Sequence, residues 1–262
     1  MILIFNLMIG EFRRIIFAMR RWWWDIFGGY LFRFSLLLVL FYSAKGLVIQ
    51  SGVVFDPRLS IIRVVGLMFW FICIAALASP TNTIGFEQKI GMMEQLCVSR
   101  FSLVSIVFAR SFWEFVIELI VLVVTLQSLF FIAGVAFNIL PFLLVFCLVY
   151  WWGWGLGLVI GGLTILIKRT EVFLNPIRML ILVFSNTVIP IDGIYSAFKP
   201  LKFISPISLE MKWISAYIMS GKFVMGNVFP AILVSLGVIL FGVAIFNRCF
   251  RYSKDLGVLA NY

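Results

Sequence analysis

A long run without charged residues limits what this chain can fold into: no Asp, Glu, Lys or Arg occurs in residues 119–167. A transmembrane α-helix needs about 20 predominantly apolar residues, so this run is long enough to cross a bilayer twice. Asn138 and Pro141 divide the run, since proline begins helices more readily than it continues them. The sequence therefore predicts two spans, near residues 115–137 and 141–167.

The composition extends this prediction to the whole chain. Hydrophobic residues make up 63% and charged residues 12%, whereas soluble domains are about half apolar and about a quarter charged. Further apolar runs predict spans near residues 28–49 and 60–79, a fifth span that ends near Pro190, and a sixth near 223–246. We therefore predict an all-α polytopic membrane protein, in which about six transmembrane helices form a single domain over residues 1–262.

Several classes of chemistry lack the residues that they need. The chain has no histidine, which excludes His-dependent serine hydrolysis, HExxH zinc chemistry and His-ligated haem. Its four cysteines are scattered without CxxC spacing, so they predict small buried side chains rather than a metal site or a disulfide framework. Nothing resembles the phosphate-binding motif GxxxxGK(S/T). We expect no catalytic residues, no bound metal and no cofactor on this chain.

The net charge of +10 is carried mainly by basic residues between the apolar runs. With the N-terminus inside, thirteen basic residues fall on the inner side and seven on the outer side. This bias predicts that both termini are cytoplasmic. Basic residues in such positions favour anionic lipid headgroups as partners, so we expect contact with the bilayer and none with nucleic acid.

The N-terminal segment, residues 1–27, combines apolar side chains at helical spacing with four arginines and three consecutive tryptophans. This mixture suits the headgroup boundary and predicts an interfacial helix; a disordered basic leader is the alternative. In the first span that follows, Arg33 and Lys45 lie toward opposite ends, where we expect both side chains to snorkel toward water.

The polar stretch after the second span predicts a cytoplasmic docking loop, residues 80–114. Pro80 and the polar residues after it predict the end of the span, and a short amphipathic helix is expected to begin near Phe86. Four apolar residues of this helix form one stripe and four polar residues project elsewhere: Phe86, Ile90, Met93 and Leu96, against Glu87, Gln88, Glu94 and Gln95. Such a helix suits a groove in a soluble partner; an ordinary interfacial loop helix is the alternative.

Three ionisable residues near the third span share one helical face: Arg110, Glu114 and Glu118. Their i, i+4, i+8 spacing places each about one turn from the next. Ionisable groups in a membrane are as a rule functional or paired, which leaves two interpretations. Arg110 and Glu114 form a structural ion pair, or the three residues form a membrane charge relay that links the docking loop to the spans.

The fourth span carries glycines at every fourth position: Gly153, Gly157 and Gly161. Small residues at this spacing let helices approach closely in lipid, so we expect helix packing within the subunit; a contact between subunits is the alternative. The same span carries three tryptophans: Trp151, Trp152 and Trp154. We expect them in its outer half, where they face lipid or a substrate.

The segment before the last span, residues 192–222, is too highly charged to cross a bilayer. It contains two prolines and several ionisable residues: Pro200, Pro206, Lys199, Lys202, Glu210 and Lys212. Broken backbone at membrane depth is tolerated only under cover of protein or water. We predict a re-entrant segment that dips into the outer leaflet without crossing.

Three stretches and the order of the elements resemble the membrane subunits of ABC-2-type exporters. FEQKIGMMEQL (86–96) is similar to the inner-loop signature of that family, although Ser99 is followed by Arg100 where members often have a Ser-Pro pair. FSNTVIP (184–190) is similar to the end of the fifth span, and KPLKFISPI (199–207) is similar to the outer re-entrant segment.

The resemblance implies a permease subunit of a bacterial ABC exporter, located in the plasma membrane. Such a subunit works with separate ABC ATPase subunits and with a second permease, identical or similar. ATP and Mg²⁺ are then expected on the ATPase partner and not on this chain. Five residues of the docking helix are implied to couple the permease to the ATPase: Phe86, Glu87, Gly91, Glu94 and Gln95.

The uncharged spans and 29 phenylalanines predict an apolar cavity. Its cargo is then amphiphilic or hydrophobic, such as a drug-like molecule, a lipid, a lipid-linked glycan or a peptide. A membrane assembly or scaffold protein without transport activity is the alternative function. An intramembrane enzyme fits less well, because histidine is absent and acidic residues are few.

Overall fold

The computed structural model describes residues 2–21, 23–50, 57–93, 96, 99–135, 138–167, 171–184, 206–221 and 228–255. Every regular element in these ranges is helical, which confirms the all-α prediction. In chain order the helices are α1 (Ile2–Arg21), α2 (Trp23–Gln50), α3 (Pro57–Lys89), α4 (Leu103–Ala133), α5 (Leu140–Leu166), α6 (Glu171–Phe184), α7 (Pro206–Ser220) and α8 (Val228–Asp255).

Four helices of the described part are long and apolar enough to cross a membrane: α3, α4, α5 and α8. The helix α2 contributes a shorter apolar stretch, Phe27–Ser43, and α6 has 14 residues. The six-span topology therefore stays a prediction. Residues 185–205, which include the predicted end of the fifth span and the first part of the re-entrant segment, lie outside the described ranges.

The predicted end of the second span at Pro80 is wrong, because α3 continues through this proline to Lys89. A proline inside a helix removes one backbone hydrogen bond, and its ring needs space beside the preceding turn. Gly157 of α5 faces the ring: a Cβ atom added to Gly157 would lie 3.0 Å from Cδ of Pro80. The predicted start of a separate helix is also wrong, because Phe86 belongs to the last turns of α3.

A turn at Gly91 begins the connection between α3 and α4. The φ angle of this glycine is 70°, in the left-handed region that glycine adopts without strain. The helix α4 begins directly after Ser102, whose hydroxyl caps its first turn, so helical residues occupy most of the predicted loop 80–114. Two predicted coupling residues, Glu94 and Gln95, lie outside the described ranges.

The helix α4 is continuous from Leu103 to Ala133, whereas the sequence predicts a third span that begins near residue 115. Its 31 residues correspond to about 46 Å at the α-helical rise, against a hydrocarbon core of roughly 30 Å. The charged first half is therefore part of the same helix as the predicted span, and its position at the inner interface stays a prediction. Gly134, with a φ of 65°, ends the helix.

The helix α5 agrees with the predicted span 141–167 to within one residue at each end, and its glycines bring α3 very close. A Cβ atom on Gly153 would lie 2.9 Å from the carbonyl oxygen of Cys73. A Cβ atom on Gly157 would lie 2.6 Å from the carbonyl oxygen of Leu77. Only a residue without a side chain fits at this separation of the two backbones.

Two further glycines, outside the predicted every-fourth pattern, bring α8 equally close to α5. A Cβ atom on Gly155 would lie 2.9 Å from the backbone nitrogen of Ile239. A Cβ atom on Gly162 would lie 3.1 Å from Cα of Phe246. Gly155 and Gly162 are about two turns apart and so share a helix face. We call α3, α5 and α8 the glycine-packed unit.

Aromatic rings fill the space between α5 and α4. Phe108 stacks on Trp151 with ring centroids 5.5 Å apart. Phe115 lies 4.7 Å from the ring of Tyr150 and 5.7 Å from that of Trp151. Because these side chains are large, they hold the two backbones farther apart than glycines do. We call α1, α2 and α4 the polar-linked side, after the contacts described below.

The helix α7 lies within the predicted re-entrant segment and packs against all three helices of the glycine-packed unit. Ile207 and Ile214 are among its buried side chains. Glu210 is also fully buried, and neither of its carboxylate oxygens has a hydrogen-bond partner in the described structure. One face of this helix therefore packs on the bundle, while the other, which includes Lys212 and Ser220, is exposed. The re-entrant position of the segment stays a prediction.

The helices run between two ends of the bundle. At one end, which we call the α1 end, Nε2 of Gln88 in α3 donates a hydrogen bond to the carbonyl oxygen of Thr164 in α5, at 3.2 Å. At the other, the α7 end, the backbone N–H of Asn138 donates to the hydroxyl of Tyr217, at 3.0 Å. The N-terminal helix and the α3–α4 connection both lie at the α1 end.

Candidate functional site

Four charged side chains from three helices meet at the α1 end. Nε of Arg110 in α4 donates to both carboxylate oxygens of Glu11 in α1, each at 3.1 Å. Nη1 of Arg110 donates to Oε1 of Glu87 in α3, at 2.5 Å. Arg14 in α1 lies 3.5 Å from the carboxylates of both Glu11 and Glu87. We call these four residues the ionic joint.

Three of the four residues of the ionic joint are buried, whereas the side chain of Arg14 is 45% exposed. Glu87 is 2% exposed and Arg110 is 8% exposed. Charges leave water only when partners compensate the loss of hydration, and removal of one partner from a buried pair is strongly destabilising. The joint contains two carboxylates and two guanidinium groups, so its formal charges balance. It therefore fixes α1, the end of α3 and the start of α4 to one another.

Neutral contacts reinforce the position of α1. Nε1 of Trp113 in α4 donates a hydrogen bond to the carbonyl oxygen of Met8, at 2.9 Å. The ring of Trp113 lies 4.4 Å from that of Phe12. The N-terminal helix thus lies directly on α4, and its single acidic residue, Glu11, points into the joint.

A second group of polar side chains begins beside Arg110 on α4. Oγ of Ser79 in α3 and Oγ of Ser111 in α4 are 2.7 Å apart. The hydroxyl of Tyr150 in α5 donates to the carbonyl oxygen of Ser111, at 2.7 Å. These bonds join α3, α4 and α5 where the aromatic rings hold them apart.

The predicted ion pair between Arg110 and Glu114 is wrong. Both residues are described, and the guanidinium of Arg110 binds Glu11 and Glu87 instead. The physical reason is that two carboxylates from other helices can approach this planar group from different sides, and its fork of donors suits them. Within the predicted charge relay, Arg110 contacts α1 and α3 and Glu118 contacts α2, whereas Glu114 has no ion-pair partner among the described residues.

Glu118 binds Arg33 of α2, which the sequence predicts to snorkel. Nη1 of Arg33 donates to the two carboxylate oxygens of Glu118 at 2.9 and 3.2 Å. The guanidinium also lies 5.5 Å from the ring centroid of Tyr30 and 5.7 Å from that of Phe71. The snorkelling prediction for Arg33 is therefore wrong, because a carboxylate within reach replaces water as its partner.

The predicted coupling residues have a different arrangement from the expected one. Phe86 is 54% exposed, whereas Glu87 is buried in the ionic joint and Gln88 is buried against α5. Gly91 forms the turn that ends α3. The predicted apolar stripe is thus divided, since Phe86 and Ile90 are exposed and Met93 is buried, while the polar residues Glu87 and Gln88 face the bundle. Three exposed apolar residues, which we call the α3 tip, lie at this end: Phe86, Ile90 and Met92.

The tryptophans of α5 do not face lipid or substrate as predicted. Trp152 and Trp154 are buried, and neither indole N–H has a hydrogen-bond partner in the described structure. Trp151 is half-buried against Phe108. Gly161, like the two glycines before it, faces α3 of the same chain, where a Cβ atom would lie 3.4 Å from Cβ of Pro80.

Two adjoining cavities lie between α1, α2 and α4. The large cavity, about 700 Å³, has mainly apolar walls that include Ile16, Trp23, Phe27, Ile120 and Val121, with Arg20 as its charged lining residue. The small cavity, about 180 Å³, is lined by Glu114, Glu118, Tyr150 and Ala75. Three residues line both cavities: Met19, Tyr30 and Ile117.

No cluster that could hold a metal ion is present among the described side chains. Sequence reasoning missed Glu11 and Arg33, which lie 99 and 85 residues from their partners along the chain. The one available signal was that Glu11 is the only acidic residue of a basic helix. A lone carboxylate among arginines and apolar residues indicates a buried partner for that carboxylate.

These features define the class of protein: a multi-pass α-helical membrane protein whose N-terminal helix is fixed to its spans by buried charges. A family model described as ABC-2 type transporter matches residues 3–219. The chain belongs to the ABC-2 type transporter family, and it is the membrane-spanning permease component, which does not itself hydrolyse ATP. Permeases of this family normally work with ABC ATPase partners. Comparison with curated proteins gives no match.

Proposed function

We propose that this chain is the permease subunit of a bacterial exporter that moves amphiphilic or hydrophobic cargo out across the plasma membrane. Separate ATPase subunits bind ATP and Mg²⁺, and a second permease, identical or similar, completes the transporter. The proposed topology has six spans, both termini in the cytoplasm, and residues 192–222 in the outer leaflet. The α1 end is then the cytoplasmic end.

The ionic joint is the observation that carries this proposal. It lies beside the connection between α3 and α4, which is the predicted contact of the ATPase. Because Arg110 binds both Glu11 and Glu87, displacement of that connection moves α1, the last turns of α3 and the start of α4 together. A permease needs such a joint, since the hydrolysis of ATP takes place on another chain and reaches the spans only through this contact.

The α3 tip supplies the contact surface in this proposal. Its three apolar side chains are exposed at an end of the bundle that is otherwise rich in charge. Exposed apolar residues with a polar rim are typical of protein interaction sites. Phe86 then contacts the ATPase directly, while Glu87 holds the end of α3 in place from inside. Glu94 and Gln95 remain predicted contacts.

Cross-linking tests the contact. A cysteine at Met92 should cross-link to a Walker-type ATPase chain that co-purifies with the permease. Met219 is the matched control, because it is also a methionine, is 48% exposed against 40% for Met92, and lies at the α7 end. A cysteine there should not cross-link to the ATPase. Absence of any cross-link from residues 86–96, together with no ATPase in the purified material, contradicts the proposal.

Charge reversal tests the predicted contact at Glu94. Replacing Glu94 with Lys should leave the protein folded in the membrane while transport and the stimulated ATPase activity fall, because a hydrogen-bonded carboxylate in an interface is costly to replace. Lys89, which already carries a positive charge near this connection, gives the control substitution Lys89→Arg. Unchanged transport in Glu94→Lys rules out a contact at this carboxylate.

Reporter fusions test the topology. A reporter after Tyr262 and another within residues 192–222 should lie on opposite sides of the membrane. Single cysteines on the exposed face of α7, such as at Lys212 or Ser220, should react with an impermeant reagent from outside. Reaction from the cytoplasm alone contradicts the proposed outer position of α7.

A further inference from the structure

The two cavities between α1, α2 and α4 have the properties of a single binding site. We propose that this site binds a cationic amphiphile, whose hydrocarbon tail occupies the large cavity and whose ammonium group binds Glu114 in the small cavity. The inference rests on the proposed transport function, because it names the chemical class of the cargo. It concerns one side of a single subunit and needs no second permease.

The size and walls of the large cavity suit a hydrocarbon tail. Ligand sites in proteins range from about 300 to about 1,000 Å³ and are mostly apolar, with a few polar groups that fix orientation. The large cavity has about 700 Å³. Its apolar walls come from three helices, with Ile16 on α1, Phe27 on α2 and Ile120 on α4. An alkyl chain that enters from the bilayer loses no favourable contacts there.

The charge of the small cavity selects a cation. Its two carboxylates are Glu114 and Glu118, and Glu118 is paired with Arg33 of α2. Glu114 has no ion-pair partner among the described residues, and its side chain is exposed to the cavity. Arg20, the basic lining residue of the site, belongs to the large cavity and does not line the small one.

Aromatic residues connect the two parts of the site. Tyr30 lines both cavities, and Trp23 lines the large one. The negative face of an aromatic ring attracts a cation, most strongly when both are desolvated. An ammonium group can therefore pass from the wall of the large cavity to Glu114 without losing favourable contacts. An anionic headgroup would instead meet two carboxylates in the small cavity.

Photolabelling of the full chain in zwitterionic nanodiscs tests this site. The probe is a long-chain alkylammonium with a diazirine near the end of its tail, and the matched probe is the alkyl sulfate with the same tail. We expect the ammonium probe to label peptides that contain Ile16, Trp23 or Ile120. Excess unlabelled alkylammonium should reduce this labelling at a concentration about tenfold lower than excess alkyl sulfate or alkyl alcohol does.

Two variants locate the recognition group. Glu114→Gln keeps the shape of the side chain and removes its charge, so the preference for ammonium should fall about tenfold while labelling by the neutral diazirine alcohol is unchanged. Glu210→Gln is the matched control, because Glu210 is a buried carboxylate that lines neither cavity. It should retain the full preference for ammonium.

The results separate this inference from the proposed function. Equal competition by alkylammonium and alkyl sulfate in the wild-type chain, or full ammonium preference in Glu114→Gln, overturns the inference. Either result leaves the exporter proposal in place if an ATPase co-purifies and cross-links at Met92. Conversely, ammonium-selective labelling without any ATPase partner supports the site and contradicts the exporter.

Discussion

The glycine-packed unit and the polar-linked side hold their helices together by different kinds of contact. In the glycine-packed unit, backbones touch and nothing polar is needed between them, as where Gly157 meets Leu77. On the polar-linked side, charges, hydroxyls and rings join helices across wider gaps that leave cavities. In the most apolar 18-residue stretch of each helix, 67% of α3 and 61% of α5 are buried, against 33% of α4 and 22% of α8.

The two kinds of contact differ in how much relative movement of the helices they allow. Close glycine contacts have one geometry, because any rotation of the helix brings a side chain into the neighbouring backbone. Ion pairs and hydrogen bonds between long side chains tolerate small displacements and can exchange partners. We therefore expect the glycine-packed unit to stay fixed during transport, while the polar-linked side moves with the connection between α3 and α4. Four substitutions test this contrast, in order of decreasing effect on stability.

Gly157→Leu should have the largest effect. Its Cβ atom alone would lie 2.6 Å from the carbonyl oxygen of Leu77, and backbone cannot move aside as a side chain can. We expect a loss of several kcal/mol of stability, or no folded protein. Gly237→Leu in α8 is the control, because no atom lies within 4 Å of its Cβ position. The thermal unfolding midpoint in detergent measures both, and equal midpoints would refute the close contact.

Arg110→Met should follow, because it leaves Glu87 and Glu11 buried with less compensation. Removal of one partner from a buried ion pair costs about 3–5 kcal/mol. The double variant Arg110→Met, Glu87→Gln should recover part of this loss, since Arg14 then remains to pair with Glu11. Thermal unfolding of the wild type, the two single variants and the double variant gives the coupling energy. Additive effects of the two substitutions contradict a shared joint.

Glu118→Gln should have a smaller effect, because Arg33 is partly exposed and solvent screens the pair. We expect a loss of about 1 kcal/mol. The exchange Arg33→Glu with Glu118→Arg keeps one charge of each sign, so it should be more stable than Arg33→Glu alone. If the exchanged protein is the less stable of the two, the ion pair does not stabilise the contact between α2 and α4.

Phe86→Ser should have the smallest effect on stability, within about 0.5 kcal/mol, because this side chain is exposed. Its effect should instead appear in the ATPase activity that the permease stimulates, which we expect to fall. Phe229→Ser is the control, because Phe229 is similarly exposed on α8. Loss of stimulated activity in both variants, or in neither, shows that the α3 tip is not a specific contact.

The sequence predicts helices more reliably than it predicts which residues from different helices contact one another. The predicted span 141–167 agrees with α5, because both of its ends are marked by nearby residues in the sequence, Pro141 and the basic segment that follows residue 167. The end of the second span was wrong because the signal at Pro80 is local, whereas the space for its ring comes from Gly157, 77 residues later in the chain. The helix propensity of proline gives its average destabilisation of a helix. It contains no information about the neighbouring residue that leaves space for the ring.

The candidate site shows the same limit for charges. Helical spacing correctly places Arg110 and Glu114 about one turn apart on α4, but the partner of Arg110 depends on which helices lie nearby. Glu87 illustrates the reverse error: an acidic residue at a predicted surface is buried, because the helix continues and turns that face toward the bundle. Periodicity identifies the faces of a helix without indicating which one faces inward.

The distance in sequence between the members of the ionic joint has a consequence for biogenesis. Glu11 precedes Arg110 by 99 residues, which a ribosome adds in roughly 5–20 s. Until α4 is made, the carboxylate of Glu11 has no guanidinium from that helix. An interfacial α1, as the sequence predicts, keeps that carboxylate hydrated while it waits, whereas a spanning helix would carry it into hydrocarbon alone. Insertion of α4 then completes the joint, so the N-terminal helix takes its final position only after α2, α3 and the start of α4 have been synthesised.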